Sequence, residues 1–112
     1  MKYILHAAAF LTLMAAPAAA QSFMNGNKLL DNCDTGNTSY CGGYIVGVFD
    51  AALPVMNEGN AVYGFTFCAP QEVLAGQIRD VVVQWLKKNP SKRHYAAPSL
   101  VMVSLSEAYP CQ

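Results

Sequence analysis

Four cysteines set the terms on which this chain can fold. Cys33 and Cys41 bracket DTGNTSY, a stretch of turn-forming residues, while Cys68 and Cys111 stand far apart. Cysteines so placed hold a metal, carry electrons or staple the chain, and the compartment decides among these. Residues 1–20, MKYILHAAAFLTLMAAPAAA, have the three parts of a secretory signal peptide. Lys2 supplies the positive start, Ile4 to Ala16 form an apolar run broken only by His6 and Thr12, and Ala18-Ala19-Ala20 is a small-residue cleavage site. That run is shorter than the about 20 residues a bilayer span needs. The apolar stretch from Tyr44 to Met56 contains Asp50 and Pro54, so it is not expected to span either. The chain therefore reads as periplasmic, cut before Gln21 and soluble afterwards. The residue after the cut is Gln21 and not a cysteine, so no lipid anchor is expected.

Export makes disulfides the default for all four cysteines. There is no C-x-x-C for a redox pair, a haem or a zinc ribbon, and His94 is the only histidine beyond the leader. No metal and no cofactor is expected. Residues 21–112 suffice for one small domain, whose limited core gains from staples. Charge is balanced, with 7 Lys and Arg against 7 Asp and Glu, and losing Lys2 leaves the mature chain slightly acidic. Nothing there offers nucleic acid a basic face.

Hydrophobic spacing is helical nearly throughout. In PQEVLAGQIRDVVVQWLKKN, Leu74, Ile78, Val81, Val82 and Trp85 fall on one side. Pro70 suits the first turn, Glu72 its positive end, Lys87 and Lys88 the negative end, and Asn89-Pro90 the stop. CGGYIVGVFDAALPVMN places Cys41, Ile45, Val48, Ala52 and Met56 on one face, with Pro54 expected to kink or end the helix. Gly42, Gly43 and Gly47 each cost about 1 kcal/mol relative to alanine, which points to close helix–helix approach. APSLVMVSLSEAY reads as a last helix, with Ala97, Leu100 or Val101, Leu105 and Ala108 inward. NGNKLLDNC is a short first helix, and NEGNAVYGFTF a loop followed by a short extended piece. The fold class is all-α: a small four-helix, disulfide-stapled bundle with one long loop.

The helix ends choose the pairing. Cys33 closes the first helix and Cys41 opens the second, one turn away. Cys68 precedes the third helix and Cys111 follows the fourth, so an antiparallel hairpin brings them to the same end. Unstrained, the two staples are worth about 2.6 and about 4 kcal/mol respectively.

No catalytic constellation emerges. Disulfide-bonded cysteines cannot attack, and Ser99, Ser104 and Ser106 have no G-x-S-x-G setting. His94 reads as a structural hydrogen-bonder, Asp50 as a buried and paired carboxylate, Trp85 as core and KKNPSKRH as a solvated basic turn. The chain is expected not to be an enzyme.

Ordered residues along the chain carry a resemblance. They are Leu29-Leu30-x-x-Cys33, Cys41-Gly42-Gly43-Tyr44-Ile45-x-Gly47-x-x-Asp50-Ala51, and Phe67-Cys68-x-Pro70. Gln77, Val81, Val82 and Leu86 follow, then Pro90-x-x-x-His94, Ala97-x-x-Leu100-Val101 and Tyr109-Pro110-Cys111. Together these resemble the Rap/Tai family of type VI secretion immunity proteins across nearly all of the mature chain. Ala69, Pro98 and Tyr109 depart from the family pattern. The resemblance implies a helical, disulfide-bonded periplasmic protein, often a homodimer, that binds and blocks a protein toxin, a peptidoglycan amidase effector. Its motif is mostly structural and does not identify the toxin.

For a toxin-binding surface, the residues themselves offer the Asn57 to Phe67 loop. Tyr63 and Phe65 would serve as aromatic anchors and Glu58 and Asn60 as a polar tip, with His94 marking a second loop. The same aromatics would equally serve to cover the bundle's own core. Two other readings remain open: a small periplasmic acid-stress chaperone, and an envelope structural protein.

Overall fold

A computed structural model of the protein describes residues 22–112, so the expected signal peptide lies outside the described residues. Four α-helices follow one another: α1 Gly26–Asp34, α2 Thr38–Asn57, α3 Ala75–Lys88 and α4 Ala97–Ala108, with a short 3-10 turn at Pro90–Lys92. Among the described residues there is no strand, only isolated bridges joining Asn25 to Ala96 and Val62 to Phe65.

The centre of the bundle is α4. Ala97, Leu100, Val101, Met102, Ser104 and Leu105 are all buried, an arc too wide for a helix with one wet face. The other three helices pack around it. Ser104 satisfies its buried hydroxyl by donating to the Val101 carbonyl at 2.8 Å. Ala108, expected inward, is exposed, because the helix ends there and the chain turns away through Tyr109. Around α4 stand Leu29 and Leu30 of α1, Cys41, Ile45 and Ala52 of α2, and Ile78, Val82 and Leu86 of α3.

The start of α1 is docked on the linker before α4. Asn25 caps the helix by accepting from the Lys28 N–H at 2.9 Å. The N–H groups of Gly26 and Asn27 donate to the carbonyls of Tyr95 and Arg93, and Ala97 N–H donates to Met24. The approach is close enough that a Cβ on Gly26 would lie 2.5 Å from Leu100 Cδ1 and 2.9 Å from the Arg93 backbone. Arg93 is structural rather than a solvated turn charge: its Nε donates to the Leu86 carbonyl at 2.7 Å, capping the C-terminus of α3.

Several expectations are corrected. Helix α3 begins at Ala75, five residues after Pro70, because the Gln77 side chain accepts from the Leu74 N–H at 2.8 Å and fixes the start there. Pro54 does not end α2, which runs on to Asn57. Both Pro54 and Asp50, whose carbonyl loses its helical partner, lie on the exposed side where water serves instead. Asp50 is accordingly exposed, with no ion pair among the described residues. Trp85 is half-buried, packing on the core while its indole N–H reaches Glu107 Oε2 at 2.6 Å.

The segment from Asn57 to Phe67 is an ordered strap. Val62 and Phe65 exchange two backbone hydrogen bonds of 2.9 and 3.0 Å. Positive φ at both intervening residues, 52° at Tyr63 and 82° at Gly64, makes this a primed two-residue turn. Phe67 is buried and stacks on Phe49 at 4.9 Å.

One staple joins the end of α1 to the first turn of α2, and the other joins the segment before α3 to the tail after α4. Cys33–Cys41 brings Cα atoms to 5.0 Å, and Cys68–Cys111 to 4.9 Å across a sequence separation of 43. No free cysteine remains among the described residues. Loop length makes the second staple the stronger, so Cys68→Ser with Cys111→Ser should cost about 4 kcal/mol, against about 2.6 for the Cys33–Cys41 pair. Urea unfolding of the two double variants measures the difference; equal losses would refute it.

Candidate functional site

Helix α2 carries more apolar surface than the fold uses. Of its 20 residues only Cys41, Ile45 and Ala52 are buried. By length and composition it is apolar enough to cross a membrane, although Asp50 and Pro54 had argued otherwise from the sequence. Here it packs on α1, α3 and α4, and its N-terminal turn is tied by a disulfide.

The glycines explain the surplus differently from the sequence expectation. A Cβ at Gly42, Gly43 or Gly47 would meet nothing within 4 Å among the described residues, so none of the three marks a tight helix–helix contact there. Instead Gly43, Gly47, Ala51 and Val55, four residues apart, form the floor of an open groove. Tyr44 and Val48 stand on one wall, with Val62, Tyr63 and Pro98 completing it around a volume of about 470 Å³.

Tyrosines dominate this surface. Tyr63 is 62% exposed and Tyr40 is 48% exposed, while Tyr44 is half-buried. The Tyr44 phenol is held above its ordinary pKa, first by burial and then by the neighbouring phenols of Tyr40 and Tyr63; the nearby Ser22 hydroxyl opposes the rise. Tyr44 and Tyr63 line the groove, and Tyr40 stands outside its lining, one helical turn before Tyr44. Each offers a rigid apolar face with a polar tip.

The residues singled out from the sequence do not converge. Tyr63 alone among them lines the groove. Phe65 lies on the far side of the strap, half-buried against the core and lining a second cavity with Trp85 and Tyr95. Glu58 and Asn60 are exposed beyond the end of α2. His94 is exposed and stacks on Tyr95 with ring centroids 4.2 Å apart. Missed altogether were Tyr40, Tyr44 and Val55. Their signal was present: Tyr40 and Tyr44 are four apart, and the apolar residues of α2 exceed what one inward face requires.

Among the described residues, no three His, Cys, Asp or Glu side chains are grouped to hold a metal ion. What the groove can do is bind another macromolecule. The family model of the Rap1a immunity proteins matches residues 25–111. No curated protein and no solved structure matches the chain.

The Tyr44 shift has a consequence for stability. A phenol whose pKa is raised by folding stabilises the native state while protonated, an advantage complete below the unfolded value of about 10 and lost as pH climbs through the folded one. Stability measured by urea titration should therefore fall above about pH 10, and Tyr44→Phe should flatten that fall. An unchanged alkaline slope in the variant would show that Tyr44 is not its source.

Proposed function

The chain belongs to the Rap1a immunity proteins, and from that membership we propose a periplasmic protein that binds and inhibits a type VI secretion amidase toxin directed at the cell wall. Two disulfides suit an oxidising envelope compartment, as does the leader expected at residues 1–20. The observation that carries the binding role is the cluster of Tyr40, Tyr44 and Tyr63 beside an apolar groove. Tyrosine is enriched at binding hot spots because it buries a large area while losing few rotamers. The backbone bonds between Val62 and Phe65 preorganise Tyr63, which lowers the cost of ordering it on binding. Inhibition is then occlusion: the strap and its tyrosine enter the groove that the toxin offers to a wall peptide.

The test is Tyr63→Ala against the cognate amidase, which should be encoded beside this chain. Affinity should fall roughly thirtyfold, the equivalent of about 2 kcal/mol. Tyr63→Gly, which relieves the positive φ while removing the same ring, should fall as far. Helicity must stay unchanged in both, and melting must not fall in either. Full inhibition by either folded variant would move the contact away from the strap.

We assign a homodimer to the floor of the same groove, leaving Tyr63 at its rim. Gly43, Gly47 and Ala51 let a second copy of α2 lie close, and an antiparallel copy about a two-fold axis makes the stripe its own complement. Light scattering at micromolar concentration should give the mass of two chains for the mature protein. Gly47→Leu should give one, with helicity retained because none of the described residues lies within 4 Å of a Cβ at that position. A monomeric parent protein would remove the dimer.

A further inference from the structure

On the far side of the strap from the groove lies a second cavity of about 350 Å³ whose chemistry is different. Phe65 of the strap, Trp85 of α3 and Tyr95 of the linker supply aromatic walls, while Asn89, Lys92 and Glu107 supply polar groups. Two of these are fixed. Trp85 Nε1 donates to Glu107 Oε2 at 2.6 Å, and Asn89 Nδ2 donates to the Trp85 carbonyl at 2.8 Å, which leaves the Asn89 side-chain oxygen uncommitted. Lys92 and Glu107 line one cavity, yet neither forms an ion pair with the other or with any charge among the described residues.

Opposite charges that border one cavity without meeting suit a ligand that carries both signs itself. We propose that this cavity binds a short free peptide. Its ammonium group lies on Glu107, its carboxylate on Lys92, its amide N–H on the Asn89 oxygen, and its side chains against Phe65, Trp85 and Tyr95. The volume is at the small end of ligand cavities, which run from about 300 to 1,000 Å³, and so fits two residues rather than a longer segment. Aromatic walls favour the ammonium end further, since a cation is attracted to a ring face. If the toxin hydrolyses wall peptides, as proposed above, it releases molecules of this class; that link rests on the functional reading, whereas the site does not.

Trp85 is the only tryptophan in the chain, so its emission reports on this cavity and on the adjoining one beside Val81 and Lys88 that it also lines, and the Lys92 variant tells the two apart. The mature, oxidised protein is titrated with alanyl-alanine, with the N-acetylated dipeptide and with the C-terminally amidated one. The free dipeptide should give a saturable change with a millimolar midpoint. Each capped form should bind about tenfold more weakly, as expected when one charge-assisted hydrogen bond is lost. Glu107→Gln keeps an acceptor for the indole and should abolish the preference for a free amino group. Lys92→Ala should abolish the preference for a free carboxylate. No saturable change up to tens of millimolar, equal binding of the capped forms, or discrimination that survives both substitutions would overturn the proposal. None of these measurements involves the toxin.

Discussion

The Cys68–Cys111 disulfide fixes where three separate pieces of chain meet. It holds the tail after α4 against the segment leading into α3, and the Cys68 N–H adds a 2.8 Å bond to the Tyr109 carbonyl. One residue upstream, Phe67 is buried and stacked on Phe49 of α2. The strap is thus pinned at its far end to α2 and α4 together, and at its near end it grows from α2 itself. A segment held at both ends has little freedom left, and its tight turn at Tyr63-Gly64 takes up the reversal. The turn also separates two surfaces. Tyr63 joins Pro98 on the α2 side, while Phe65 joins Ser99, Leu100 and Val103 on the α3 side. Both cavities therefore have one wall positioned by the same anchor.

Helix existence and cysteine pairing were legible because both depend on local pattern. The apolar spacing of Ile78, Val82 and Leu86 has one solution, and cysteines at helix ends have few partners within reach. The inward face of α2 was legible too, since Cys41, Ile45 and Ala52 are buried and Val48 and Met56 pack on the core, but its outer side was not: that side is also apolar, and the glycines were assigned to contacts inside the bundle. Asp50 was misplaced for the same reason: in a uniformly apolar helix, a lone carboxylate looks buried. The Tyr63 turn escaped because Tyr-Gly lacks the usual Asn-Gly or Asp-Gly signature of a primed turn. Arg93 escaped because its partners, the carbonyls of Leu86 and Lys87, are backbone groups that no residue pattern advertises.

Three of the places where local rules are broken lie on one surface. Gly43 and Gly47 sit on an exposed helical face at about 1 kcal/mol each against alanine, with no packing contact among the described residues to explain them. Tyr63 occupies a left-handed conformation that costs a non-glycine residue roughly a further 1 kcal/mol or more. All three line the same groove. The two disulfides, by constraining the unfolded chain, contribute several kcal/mol from positions outside it. Stability and binding are thereby separated in space. Residues facing α4 and the staples hold the bundle, which leaves the outer face of α2 and the strap free to carry residues chosen for what they meet. A surface that departs from good helical and turn chemistry at three adjoining positions, on a scaffold stapled from outside it, is the pattern expected of a binding site.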